Sequence, residues 1–126
     1  MLSVFATVKV IIMEKIFLVT MLYDFYGELL TSKQKNAFEK HYLEDLSFNE
    51  IGEEQGTTRQ AVMDTVKRSE KLLLQYEEKL HLVDKFTSRK EKVERINREI
   101  DKLPKGDSEC SDKICLIKKM LSEILD

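Results

Sequence analysis

The chain is 126 residues long, with 21 Lys plus Arg against 23 Asp plus Glu and a formal net charge of −2. At that length one domain buries roughly two thirds of the surface its unfolded form exposes, so a core needs no disulfide or metal staple. Charge is dense but balanced, which excludes a chain-wide field for nucleic acid or membrane, and four Gly and one Pro in a background of Glu, Lys, Leu and Arg predict an all-α protein.

The opening MLSVFATVKVII, residues 1–12, is apolar, but Lys9 interrupts it and Glu14 and Lys15 end it. It has no convincing small-residue cleavage site and is too short to cross a bilayer, so neither a signal peptide nor membrane insertion is expected. The segment reads as a dispensable upstream extension, with Met13 as the alternative start. From Lys15 to Leu30 the sequence is apolar on most sides, which predicts a helix wrapped by partners. Thr31 is the expected N-cap of the next helix, whose Ala37, Phe38, Tyr42 and Leu43 recur at helical spacing before Leu46 closes it.

Ser47 with Glu50 three residues on forms a capping box. The short helix that follows carries Phe48 and Ile51 as its apolar stripe. Counting from Phe48, a small residue falls fifth (Gly52), a glycine ninth (Gly56) and an apolar residue fifteenth (Val62). That is the framework two crossed helices of a helix-turn-helix require. It departs from the usual pattern at Gln55 and Thr57, where an apolar residue would normally flank the glycine. Thr58 is the expected cap of the second helix.

After Thr58 no breaker appears until about Ser88, which predicts a rod on the order of 40 Å. Val62, Val66, Ser69, Leu73, Tyr76, Leu80 and Val83 step by four and three along it, a seam through which two copies could associate. Val66, Leu73, Tyr76, Leu80 and Val83 are accordingly the candidate dimer interface. A further helix is expected over about 89–103, stopped by Pro104 and Gly106, then a final amphipathic helix over 111–125 after the linker DSECSD. The organisation expected is 1–12 as extension, 13–88 as a helix-turn-helix domain with its long helix, and 89–126 as C-terminal helices. Cys110 and Cys115 lack zinc-ligand spacing with His41 and His81, so they read as reduced intracellular thiols, with no metal and no cofactor.

The stretch LTSKQKNAFEKHYLEDLSFNEIGEEQGTTRQAVMDTVKRSEKLL, residues 30–73, resembles the promoter-reading fourth region of bacterial sigma factors. More closely, LYDFYGELLTSKQKNAFEKHYLEDLSFNEI with TRQAVMDTVKRSEKLL and YEEKLHL resembles the YlxM family of small bacterial helix-turn-helix proteins, over about residues 14–86. The resemblance implies a regulator in the signal recognition particle pathway, with particle components as partners, and brings neither an enzymatic activity nor a cofactor.

If the motif reads DNA, the first turn of its second helix meets base edges while nearby cations neutralise phosphates. The candidate nucleic-acid residues are Thr58, Arg59, Gln60, Lys67 and Arg68. Arg59 suits guanine and Gln60 suits adenine. The phosphate side is poorer. From Ser47 to Arg68 the cations are Arg59, Lys67 and Arg68 and the acids Glu50, Glu53, Glu54 and Asp64, so 3 − 4 = −1. A dimer would double the cations, and Arg89, Lys90, Lys92, Arg95 and Arg98 form a local basic excess, although a solvated helix face is the simpler reading of that run. The tyrosines fit core stripes, and His41 and His81 read as helix-surface residues. Carboxylates without a neighbouring His, Cys or Ser in a nucleophile or metal pattern argue against an enzyme. The expectation is a cytoplasmic, homodimeric regulator bound to duplex DNA; the alternative is a non-catalytic interaction module that keeps the helix-turn-helix frame and binds a basic partner.

Overall fold

The computed structural model describes the backbone of residues 4–104 and 106–125, and the side chains in that range from Glu14 onward. The expectation that residues 1–12 are dispensable lies outside the described side chains. Among the described residues six α-helices follow one another: α1 Val4–Tyr26, α2 Ser32–Tyr42, α3 Phe48–Gln55, α4 Arg59–Leu80, α5 Leu82–Asp101 and α6 Ser108–Ile124, with one 3-10 turn, Gly27–Leu29, after α1. Among the described residues there is no strand, and the fold is all-α. The chain divides into two compact units, Met1–His81 and Leu82–Asp126.

In the first unit the helix starts follow the caps. Thr31 accepts from the Gln34 amide while the Gln34 side chain accepts from the Thr31 amide, and Ser47 with Glu50 repeats the arrangement at α3. Each box satisfies two backbone donors that a helix start leaves unpaired. The core is built from Leu22 and Tyr26 of α1, Phe38 of α2, Ile51 of α3, and Val62, Val66 and Leu73 of α4, all buried. Ser69 is buried among them and donates its hydroxyl to the Thr65 carbonyl at 2.8 Å. One helix is shorter than its sequence pattern suggests: α2 stops at Tyr42 rather than near Leu46, and Asp45 turns the chain with φ 56°.

Three tyrosines bind the bundle in a closed circuit. Tyr23 of α1 donates to Glu39 of α2, Tyr42 of α2 donates to Glu70 of α4, and Tyr26 of α1 donates to Glu77 of α4, the last at 2.6 Å. Each bond joins a different pair of the three helices. The rings pack as well, with Tyr23 stacked on Phe38 at 4.6 Å and Phe38 against Tyr42 at 4.8 Å. Burial pushes the phenols of Tyr23 and Tyr42 well above the ordinary tyrosine value, and the carboxylates of Glu39 and Glu70 push the same way.

The expected rod to Ser88 is shorter. α4 ends at Leu80, and His81 adopts the left-handed conformation, φ 55° and ψ 30°, its amide bonding the Glu77 carbonyl. A left-handed residue satisfies the last carbonyls but cannot continue the helix. The following helix therefore begins at Leu82 instead of about 89.

In the second unit, α5 buries Val83 and Val93. α6 starts at Ser108, inside the expected linker, because Asp107 caps it by accepting from the Cys110 amide at 2.9 Å. Lys118 of α6 pairs with Asp101 of α5. Cys110 and Cys115 are exposed and free. No helix among the described residues is long and apolar enough to cross a membrane.

Candidate nucleic-acid interface

Two glycines make the α3–α4 turn, for different reasons. At Gly52 the matter is space: a Cβ would sit 2.8 Å from the Thr57 carbonyl oxygen and 3.3 Å from the Thr58 carbonyl carbon, so the turn backbone lies directly on α3. At Gly56 the matter is conformation. Its φ is 68°, with nothing within 4 Å of a Cβ, and the Thr57 amide bonds the Gly52 carbonyl at 2.8 Å. Together they turn the chain sharply and hold α4 across α3, a geometry β-carbons at both positions would oppose. Ala37, Ile51, Val62 and Val66 fill the space between the crossed helices, with Leu46 and Phe48 packed against them.

Thr58 caps α4 by accepting from the Ala61 amide at 3.1 Å. Thr58, Arg59 and Gln60 are exposed, as are Lys67 and Arg68 further along. On the side of α4 opposite the buried Val62, Val66, Ser69 and Leu73, the residues Gln60, Asp64, Lys67 and Lys71 step by four, three and four, all exposed. Gln60 is already engaged: its side-chain amide donates to Asp64 Oδ1 at 3.0 Å. To reach an adenine edge it must exchange that bond for one to the base.

Charge at this end is less adverse than the motif alone suggests. Lys40 of α2 lies 2.7 Å from Glu54, neutralising one acid of α3. Lys33, also of α2, lines a narrow cleft with Gln55, Thr57, Ala61 and Thr65, beside the turn. Lys33, Lys40 and Lys71 were outside the sequence-derived set, because only the packing of α2 against the motif brings the first two there. His41, read from sequence as a surface residue, is half-buried instead: its ring stacks on Phe48 at 4.2 Å and its Nδ1 lies 3.0 Å from the Leu46 carbonyl oxygen. It braces the entry to α3.

The candidate dimer seam requires correction. Val66 and Leu73 are fully buried in the single chain and cannot line a contact with a second copy. Tyr76 is half-buried with its ring 6.0 Å from that of Tyr26. Val83 lies beyond the break at His81 and is buried, which leaves Leu80, 46% exposed, as the open residue of the five. The four-and-three spacing was real, but the core of the same chain absorbs it. Among the described residues no group of three or more His, Cys, Asp or Glu side chains is placed to hold a metal ion.

Residues 13–114 match a family model described as "Putative helix-turn-helix protein, YlxM / p13 like". A UPF0122 protein of Bacillus licheniformis is 47% identical over 96 residues, covering 76% of this chain and 90% of the relative. YlxM of Bacillus subtilis is 44% identical over 108 residues, covering 86% and 94%. A UPF0122 protein of Desulforamulus reducens is 40% identical over 114 residues, covering 90% and 96%.

Proposed function

The chain belongs to the YlxM / p13-like helix-turn-helix family, and from that membership and the geometry of its α3–α4 end we propose a non-catalytic regulator that reads duplex DNA through the first turn of α4. The observation that carries this reading is the exposed Thr58–Arg59–Gln60 turn, held by its cap and by the turn backbone lying on Gly52. Arg59 is the guanine reader and Gln60 the adenine reader, each bidentate pair contributing about 1 to 3 kcal/mol of discrimination. Lys33, Lys67, Arg68 and Lys71 supply phosphate contacts. Association of two copies belongs to the same proposal, with Leu80 as the open apolar residue of the expected seam. So do a cytoplasmic location and a role in the signal recognition particle pathway, which rest on the family resemblance.

Selection from a pool of randomised duplexes tests the reading. The wild type is expected to enrich a short motif, and Arg59→Ala with Gln60→Ala to enrich none. A pool left unenriched by the wild type favours the second reading, an interaction module for a basic partner. Two observations favour that module: the −1 sum of the motif and the bond that already occupies Gln60.

A further inference from the structure

Six of the 21 Lys and Arg residues lie within the fourteen residues from Lys85 to Arg98. Lys15, Lys35, Lys40, Lys102, Lys113 and Lys118 each stand within ion-pair distance of a carboxylate. Lys85, Arg89, Lys90, Lys92, Arg95 and Arg98 are all exposed on α5, and among the described residues none of them forms an ion pair. Between residues 85 and 98 the only acids are Glu91 and Glu94, so this stretch sums to 6 − 2 = +4, against −1 for the helix-turn-helix motif.

Position on the helix sharpens the contrast. One shallow groove on α5 is lined by Asp84, Lys85, Ser88, Arg89 and Lys92, and a second by Ser88, Glu91, Lys92, Arg95 and Arg98. The two share Ser88 and Lys92, and Arg89, Lys92, Arg95 and Arg98 follow at three-residue steps, an oblique row that winds around the exposed side of α5 over a rise on the order of 20 Å. No apolar or aromatic side chain lines either groove. A helix lying in a membrane surface sets apolar residues into the lipid beside its cations, and single-stranded nucleic acid is held by aromatic rings on which bases stack. The five cations of these grooves, with the Ser88 hydroxyl and the carboxylates of Asp84 and Glu91, hold no ring among them, and the apolar Ile96, Ile100 and Leu103 line a separate groove that shares Arg95; such a surface matches the phosphates of a duplex, which arginine grips bidentately.

We propose that the α5 row from Lys85 to Arg98 is a binding site for the sugar–phosphate backbone of a nucleic-acid duplex, separate from the first turn of α4 and indifferent to base sequence. DNA and RNA offer the same ligand chemistry here. The proposal does not depend on α4 reading bases.

The test is fluorescence anisotropy of labelled mixed-sequence duplexes of about 20 base pairs, one DNA and one RNA, titrated with the full chain at about 50 and 200 mM salt. The wild type is expected to bind at least one of them with strong salt dependence, and which one it prefers identifies the source of the phosphates. Lys92→Gln with Arg95→Gln and Arg98→Gln should weaken binding at the lower salt at least tenfold. Its salt slope on DNA should fall by about 2.7, at about 0.9 per lost contact, with an unchanged thermal midpoint because all three side chains are exposed. Glu91→Gln with Glu94→Gln should tighten binding. Lys102→Gln with Lys113→Gln, two exposed cations of the same unit that already stand beside carboxylates, should leave mixed-sequence binding within about twofold, which separates this row from a general loss of positive charge. Binding of neither duplex by the wild type, wild-type affinity in the triple variant, or capture by phosphatidylglycerol vesicles in place of duplex would each overturn the assignment.

Discussion

Single residues carry the turn and the circuit that positions it. At Gly52→Ala the new methyl meets backbone rather than a yielding side chain, so a loss of about 1–3 kcal/mol is expected from overpacking. Gly56→Asn has open space and only the left-handed conformation to bear, which asparagine tolerates better than most residues. Urea denaturation should therefore rank Gly52→Ala as the more damaging, and the reverse order would mean that space is not what α3 lacks. The tyrosines predict a pH dependence. Unfolded tyrosine titrates near about 10, whereas burial and the adjacent carboxylates hold the Tyr23 and Tyr42 phenols protonated well above that value. Their contribution is thus complete below pH of about 10 and is lost as pH rises beyond it toward the folded-state values. Tyr42→Phe removes the phenol donor of Glu70, leaving it the ion pair with Lys15, and should cost about 1–2 kcal/mol near neutrality. Denaturation midpoints of the Tyr23→Phe, Tyr42→Phe pair should decline less steeply above that pH than those of the wild type; an equal decline would remove these phenols from the account.

At the scale of elements, α4 decides both the fold and where a second copy could attach. Leu73 is fully buried and Leu80 is not. Leu73→Asp should therefore abolish the cooperative thermal transition while Leu80→Asp retains it, and light scattering of Leu80→Asp then reports directly on association. An unchanged melt for Leu73→Asp would contradict its place in the core. The starts of α2, α3 and α4 were legible because Thr31, Ser47 and Thr58 satisfy backbone donors within three residues. The end of α4 was not. His81 is an unusual left-handed residue, and Leu82 and Val83 continue the apolar pattern across the break. The conformational cost at His81 gives a further expectation: His81→Gly should stabilise the chain by up to about 1 kcal/mol, less the entropy glycine adds to the unfolded state. A destabilised His81→Gly would show that the imidazole contributes more than a cap.

For the whole molecule, the sequence pattern of Gly52, Gly56 and Val62 located the crossed helices, since each requirement is local. What stayed hidden was long-range. Lys33 and Lys40 reach the motif only because α2 packs on it, and the tyrosine circuit spans separations of 16 to 51 residues. The same packing used Val66 and Leu73, which from spacing alone were equally suited to a partner. The central claim is that this frame presents Arg59 and Gln60 to base edges, and a base-substitution profile tests it most directly. Binding of the selected duplex, with each base pair changed in turn, should lose discrimination in Arg59→Ala at one or two adjacent positions and keep it elsewhere. Uniform weakening at every position, or a profile identical to the wild type, would contradict the claim.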